Sequence, residues 1–219
     1  MGHRSPLPAW AAAPAPPEPP APRPIAPSRL AGDEPASDSP AGSAARDRIR
    51  HGLLVHRLLQ LLPGLPAEEW EDAGERLLRQ LAAELPDDRR GALLAETLRV
   101  LRLPELAPLF GPGSRAEQPL CGRIDGQPFA GQVDRLAVTP DSVWILDYKT
   151  SRQPPPSPEA TPVAYLRQMA AYAKLLGRAF PGREIRAALL WTQGPRLDRL
   201  PAALLAPHRP AALSEPPAP

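Results

Sequence analysis

The chain has 219 residues, 34 of them proline, and a formal net charge of +2 at a sequence pI near 9.0. This length suits one ordinary domain with proline-rich ends, and the charge permits a nucleic-acid partner without requiring one. The single cysteine, Cys121, excludes an intramolecular disulfide framework, a four-cysteine zinc site and a four-cysteine iron–sulfur cluster within this chain.

Proline- and alanine-rich stretches stand at both ends of the chain. They predict an extended linker over residues 1–44 and a tail over 201–219, which leaves a folded unit at 45–200. No run of about 18 apolar residues occurs, and proline interrupts the N-terminus where a signal peptide needs an apolar stretch. We therefore expect a cytoplasmic protein that does not enter a membrane.

Three helical patterns open the folded unit. The first ends at Pro63-Gly64, and helices are also predicted near residues 68–85 and 88–101. In the first helix, apolar residues recur at steps of three and four and predict one core-facing stripe. The stripe comprises Ile49, Leu53, Leu54, Leu58, Leu61 and Leu62.

Three strands are predicted next. Asp125-Gly126 suits a two-residue type I′ hairpin, and a four-residue turn at 139–142 precedes the strand-like run VWILDYKT. Together they predict an antiparallel meander. A helix at 163–180 and the strand EIRAALLWT follow, so the fold class is predicted to be α/β or α+β, with N-terminal helices covering a sheet.

The two turns set a register that brings acidic residues together. With Asp125-Gly126 as the loop, Glu117 faces Asp134, and with a four-residue loop at 139–142, Asp134 faces Asp147. Strand alternation places Lys149 on the same face as Asp147. This register predicts a row of three carboxylates with a lysine beside it.

Two interpretations of this row remain open. Like charges across a sheet are destabilising unless a cation neutralises them, and Mg²⁺ prefers carboxylate oxygens and phosphate, which favours phosphodiester hydrolysis. Lys149 would then stabilise charge on the phosphate. Alternatively, the acids face solvent and pair with the nearby Arg115, Arg123 and Arg135.

The residues also resemble a known family. The segment GQVDRLAV…VWILDYKTS resembles the RecB-like branch of the PD-(D/E)XK nucleases, which have a restriction-endonuclease-like core. From residue 8 to 205, the ordered motifs GLLVHRLLQLLP, FGPGSRAEQPL, GQVDRLAV, LDYKTSRQPP, YLRQMAAYAKLL and ALLWT are similar to the nuclease domain of AddA. AddA is the helicase–nuclease subunit of the bacterial AddAB complex.

The resemblance implies an Mg²⁺-dependent deoxyribonuclease of the exonuclease type, with Mn²⁺ as a possible substitute, acting in double-strand-break repair. DNA, a helicase module and an AddB-like subunit are the implied partners. The resemblance also implies roles for individual residues. The metal would be bound by His56, Asp134, Asp147 and the Tyr148 carbonyl, with Glu117 near the metal and its water and Lys149 as the catalytic lysine. Supporting the site and touching DNA would be the roles of Tyr165, Gln168 and Tyr172.

Outside the resemblance, some of these residues have simpler interpretations. A lone histidine on an apolar helix face, such as His56, is usually a hydrogen-bonded core residue, and Tyr165, Gln168 and Tyr172 share a helix face as ordinary core residues do. Gln60 stands where family members often have glutamate, and no phosphate-loop motif of a helicase motor occurs. Two alternatives to a nuclease therefore remain. One is a non-catalytic DNA-binding or docking module, and the other is a purely structural interaction domain.

Overall fold

The computed structural model describes Pro24 and residues 43–151 and 153–210. The greater part of the predicted linker and the tail beyond residue 210 lie outside the described residues. Within them, no helix is both long and apolar enough to cross a membrane.

Helices and strands follow in the predicted order. The helices are α1 (Ser43–Leu61), α2 (Trp70–Leu81), α3 (Asp87–Leu101), α4 (Ala107–Phe110), α5 (Val163–Ala179) and α6 (Ala202–Leu205). The strands are β1 (Ser114–Ile124), β2 (Gln127–Val138), β3 (Ser142–Lys149), β4 (Glu184–Trp191) and β5 (Arg196–Leu200). They form one sheet in the order β1-β2-β3-β4-β5, which confirms the predicted α/β class.

Both predicted turns are present and fix the predicted registers. Asp125 and Gly126 have φ angles of 48° and 85°, as a type I′ turn requires, and Ile124 pairs with Gln127. At the second turn Val138 pairs with Val143. The antiparallel meander of β1, β2 and β3 therefore forms as the sequence predicted.

Helices cover both faces of the sheet. β3 and β4 are parallel, so the chain must cross over between them, and α5 makes that crossover. Leu146 on β3 packs into a core shared with α1, α2 and α3, whereas its neighbour Ile145 packs against α5. This alternation places β3 between two apolar layers. Side chains from both layers can therefore reach the C-terminal end of β3.

The predicted stripe of α1 is wrong at three positions. Ile49 and Leu53 are 65% and 66% exposed and Leu61 is 39% exposed. The buried stripe of this helix is rotated relative to the predicted one. This is possible because the leucine-rich sequence has apolar side chains around most of the helix circumference. The buried residues of the helix are Leu54, Val55, Leu58 and Leu59, and Leu62 directly after it is also buried.

Two elements near the C-terminus were not predicted. β5 pairs antiparallel with β4, and α6 lies inside the segment that the sequence analysis assigned to the tail. Leu205 of α6 is buried in the core under α5. The folded unit therefore continues past the predicted boundary at residue 200.

Candidate metal centre

The candidate site lies where β2 and β3 separate. The ladder between them ends at Arg135 and Leu146, one pair before Asp134 and Asp147 would meet. Instead, the Tyr148 backbone N–H donates to Asp134 Oδ2 over 2.7 Å. The predicted register holds up to this point, but Asp134 and Asp147 do not form a ladder pair, because the Asp134 carboxylate accepts the Tyr148 N–H.

Glu117 also leaves the regular ladder. Its flanking residues pair in the predicted register, but Glu117 itself has a φ of 49° and is absent from the ladder opposite Asp134. A left-handed conformation costs a non-glycine residue roughly 1–2 kcal/mol, so surrounding contacts must hold it. One such contact is the Gln132 side-chain amide, which donates to Glu117 Oε2 over 2.5 Å.

Three side chains from three elements converge at this point. His56 on α1 brings Nδ1 to 3.6 Å from Asp134 Oδ1. One potential ligand atom each from His56, Glu117 and Asp134 lies within 4.8 Å of the others. We refer to these three residues as the ligand trio. An imidazole nitrogen with two carboxylates suits a divalent cation, so the donor chemistry fits a metal ion.

Asp147 and Lys149 form the second part of the site. Lys149 Nζ lies 2.8 Å from Asp147 Oδ2, and the two groups form an ion pair without the alignment of a hydrogen bond. The Asp147 residue is only 5% exposed. The same ammonium group lies 3.7 Å from the centre of the Tyr165 ring. Asp147 is not part of the ligand trio, but its charge acts on both Asp134 and His56, and its role as a metal ligand stays a prediction.

Burial controls the protonation of this site. Desolvation, and then the charge of Asp147, raise the pKa of Asp134 well above its usual value, while desolvation lowers the pKa of His56. Burial also acts to lower the pKa of Lys149, but the charge of Asp147 and the contact with Tyr165 help to outweigh it, so the net pKa is raised. At neutral pH His56 can offer a lone pair while Lys149 stays cationic.

We predict that cation binding strengthens as pH rises. Because folding raises the pKa of Asp134, the stability gained by protonating it is fully present below the ordinary carboxyl pKa and is lost as pH climbs through the raised value. A bound cation replaces that proton. The Mg²⁺-induced rise in melting temperature should be larger at about pH 8 than at about pH 6. An equal rise at both pH values would contradict this, and Asp134→Asn should remove the difference.

A buried arginine fastens α1 to the sheet and was missed by the sequence analysis. Arg135 is 3% exposed; its Nε donates to the Tyr148 hydroxyl over 3.1 Å, its Nη1 to Ser114 Oγ over 3.1 Å, and its Nη2 to the Leu59 carbonyl. The guanidinium also lies 4.7 Å from the centre of the Phe110 ring. Because Leu59 follows His56 by less than one turn, these contacts position the histidine.

A second buried polar network supports the end of β3. Glu96 on α3 is 5% exposed; its Oε1 accepts from Thr192 Oγ1 over 2.5 Å and its Oε2 lies 2.9 Å from His51 Nε2. The Thr192 backbone N–H donates to the Lys149 carbonyl over 3.0 Å. The sequence signal was weak, since a glutamate within an apolar helix face identifies no partner nearly 100 residues away.

The three residues assigned to support lie beside the site on α5. Tyr172 is buried and its hydroxyl donates to the Gln132 carbonyl over 2.8 Å, while burial raises its pKa and Gln168 hydrogen-bonds to it. Tyr165 contacts the Lys149 ammonium group. The supporting role of these residues and their contact with DNA both stay predictions.

The arginines of the solvent-facing interpretation do not pair with the acids in the described residues. Arg135 donates to the Leu59 carbonyl, the Tyr148 hydroxyl and Ser114 Oγ, and Arg123 donates through Nη1 to the Gly126 carbonyl. The carboxylates lie instead against His56, Gln132 and Lys149. The geometry favours the cation-binding interpretation.

Two solved structures show limited similarity to this chain. One, from Eubacterium rectale and provisionally named an exonuclease, is 14% identical with a TM-score of 0.44, over 68% of this chain and 62% of that one. The other, named SSO0001, is 11% identical with a TM-score of 0.33, over 74% and 79%. Neither score supports an argument about fold, and this chain spans less than two thirds of the first structure.

No curated protein matches the chain significantly. The family model for the PD-(D/E)XK nuclease superfamily, however, matches residues 32–213, which include the ligand trio, Asp147 and Lys149. A match over most of the chain, with a site of the expected chemistry, leads to one conclusion: the chain belongs to the PD-(D/E)XK nuclease superfamily.

Proposed function

We propose that this chain is a divalent-metal-dependent deoxyribonuclease that hydrolyses phosphodiester bonds, with Mg²⁺ or Mn²⁺ as its cation. The observation that carries the proposal is the ligand trio with Lys149 held next to it by Asp147. Membership of a nuclease superfamily supports the reaction class.

The chain's own residues divide the chemistry between them. His56, Glu117 and Asp134 would hold the cation, which supplies a more acidic bound water and a Lewis acid for a phosphate oxygen. Lys149 contributes a fixed positive charge beside the reacting phosphate, where negative charge develops. Asp147 and Tyr165 keep that ammonium group in place, and the raised pKa of Lys149 keeps it protonated.

We further propose that the chain is the nuclease part of an AddA-type helicase–nuclease. The ordered motifs shared with AddA support this assignment, and the chain contains no phosphate-loop motif of its own. It would act on single strands that a helicase module separates at a broken DNA end, together with an AddB-like subunit. The setting would be double-strand-break repair in the bacterial cytoplasm.

The direct test is cleavage of linear single-stranded DNA with Mg²⁺ or Mn²⁺. We expect wild type to cleave and Asp147→Asn to cleave at least about 100-fold more slowly, because the change removes the charge that positions Lys149. Asp141→Asn, the same chemical change at an exposed position in the turn before β3, is the matched control and should cleave normally.

Two results would count against the proposal. Equal rates for wild type and Asp147→Asn would show that the site is wrong. DNA binding without cleavage in either metal would instead support the alternative, a non-catalytic DNA-binding module that keeps the nuclease fold.

A further inference from the structure

Two large apolar side chains are exposed on the helix that carries His56. Ile49 and Leu53 are 65% and 66% exposed, more than the other large hydrophobic residues that the structure describes as exposed. They lie four residues apart, and His56 follows Leu53 by three. Residues three and four apart share a helix face, so Ile49, Leu53 and His56 form one line along α1.

Exposed apolar residues are common singly, but a pair that leads into a candidate site needs an explanation. The line is bordered by exposed arginines at Arg46 and Arg57, of which Arg57 donates to the Gln60 side chain over 2.6 Å. An apolar surface with basic side chains at its border is complementary to a nucleic-acid strand, which presents flat bases and charged phosphates.

We infer that Ile49 and Leu53 contact the unpaired bases of the strand whose phosphate lies at the ligand trio, an inference that rests on the proposed function. The seven steps of helical rise from Ile49 to His56 span about 10 Å along the helix axis, the length of about three stacked bases. Bases in a duplex are stacked and paired internally, so only an unpaired strand can lay its bases on this surface. The apolar pair therefore selects single-stranded DNA.

The continuity with the metal centre favours DNA over other occupants. A second copy of the chain, or another domain, seated on Ile49 and Leu53 would compete with any strand reaching His56. A DNA strand that leaves the site along α1 would pass this line, and the bordering arginines would attract it there.

The test is DNA binding with and without bases. The probes are a fluorescent single-stranded oligonucleotide and an abasic strand of equal length and charge, both in Ca²⁺ to suppress cleavage. For the double variant Ile49→Ala/Leu53→Ala we expect affinity for the normal strand to fall about five- to tenfold, with affinity for the abasic strand unchanged. The preference of wild type for single strands over blunt duplex should shrink by a similar factor.

Leu61→Ala is the control, because it removes the same atoms as Leu53→Ala from a partly exposed leucine of the same helix, off the line to His56. It should bind both strands as wild type does. Suppose that wild type cleaves DNA. If the double variant then loses affinity equally for both strands, or for neither strand, the inference alone is overturned. Failure of wild type to bind or cleave any DNA would overturn the proposed function and the inference with it. A shift of wild type to a dimer that the double variant loses would assign the surface to a second copy and also overturn it.

Discussion

Replacing Lys149 by methionine should lower the single-turnover rate of DNA cleavage by about 10³-fold at saturating Mg²⁺. The substitution keeps the aliphatic stem beside Tyr165 but removes the charge next to the ligand trio. Since that charge acts on the transition state more than on bound substrate, DNA affinity should change far less than the rate. Quenched-flow cleavage and equilibrium DNA binding measure the two quantities separately.

This variant also leaves the buried carboxylate of Asp147 without its cation, which costs stability. Lys149→Arg is therefore the second variant, since it retains the charge but offers a planar, longer group that cannot occupy the same place. It should be more stable than Lys149→Met, because Asp147 keeps a cation beside it, and still cleave at least about 30-fold more slowly than wild type. Near-normal cleavage by a folded Lys149→Met variant would remove Lys149 from the mechanism, whereas near-normal cleavage by Lys149→Arg alone would show that the charge matters and its exact place does not.

Replacing Arg135 by alanine should lower the free energy of unfolding by about 3–4 kcal/mol. The substitution leaves a cavity against Phe110 and removes the donors to the Leu59 carbonyl and to the Tyr148 hydroxyl. Urea unfolding measures the loss. Because α1 carries His56, the variant should also bind Mg²⁺ more weakly than wild type.

The comparison for this prediction is Arg115→Ala on the neighbouring strand. Arg115 is exposed, so its loss should change the unfolding free energy by no more than about 0.5 kcal/mol. If the two variants were equally stable, Arg135 would not fasten α1 to the sheet.

The sheet was predictable because local chemistry determined its registers. Asp125-Gly126 permits few turns other than type I′, and the hydroxyl of Thr139 closes the second turn by accepting from the Ser142 N–H over 3.0 Å. Each turn then fixes every pair in its ladder. Both depend on residues close in sequence, which is where sequence reasoning is strongest.

The arrangement of the acids was only partly predictable. The register brought Glu117 and Asp134 to neighbouring positions, but the turn of Asp134 toward the Tyr148 N–H and the left-handed backbone of Glu117 depend on contacts across the fold. The place of His56 came from family resemblance, because helical periodicity alone assigned it to an ordinary apolar face. Asp147 follows the register, yet its partner is Lys149 rather than the ligand trio.

The surface of α1 was not predictable from periodicity. Ile49 and Leu53 satisfy the same spacing as the buried leucines, and only packing against the sheet and α3 decides which stripe is interior. The link from Glu96 to Thr192 spans 96 residues and has no local signature. Deviations of this kind concentrate where function competes with packing, and we propose that the exposed pair next to His56 is such a place.

The central claim is that the ligand trio binds the cation on which DNA cleavage depends. Anomalous diffraction from crystals soaked in Mn²⁺ tests it most directly, with the Asp134→Asn variant as the reference. We expect a peak at bonding distance from His56, Glu117 and Asp134 in wild type, and its loss in the variant. Peaks only at other positions, or a peak at the trio that persists in Asp134→Asn, would contradict it.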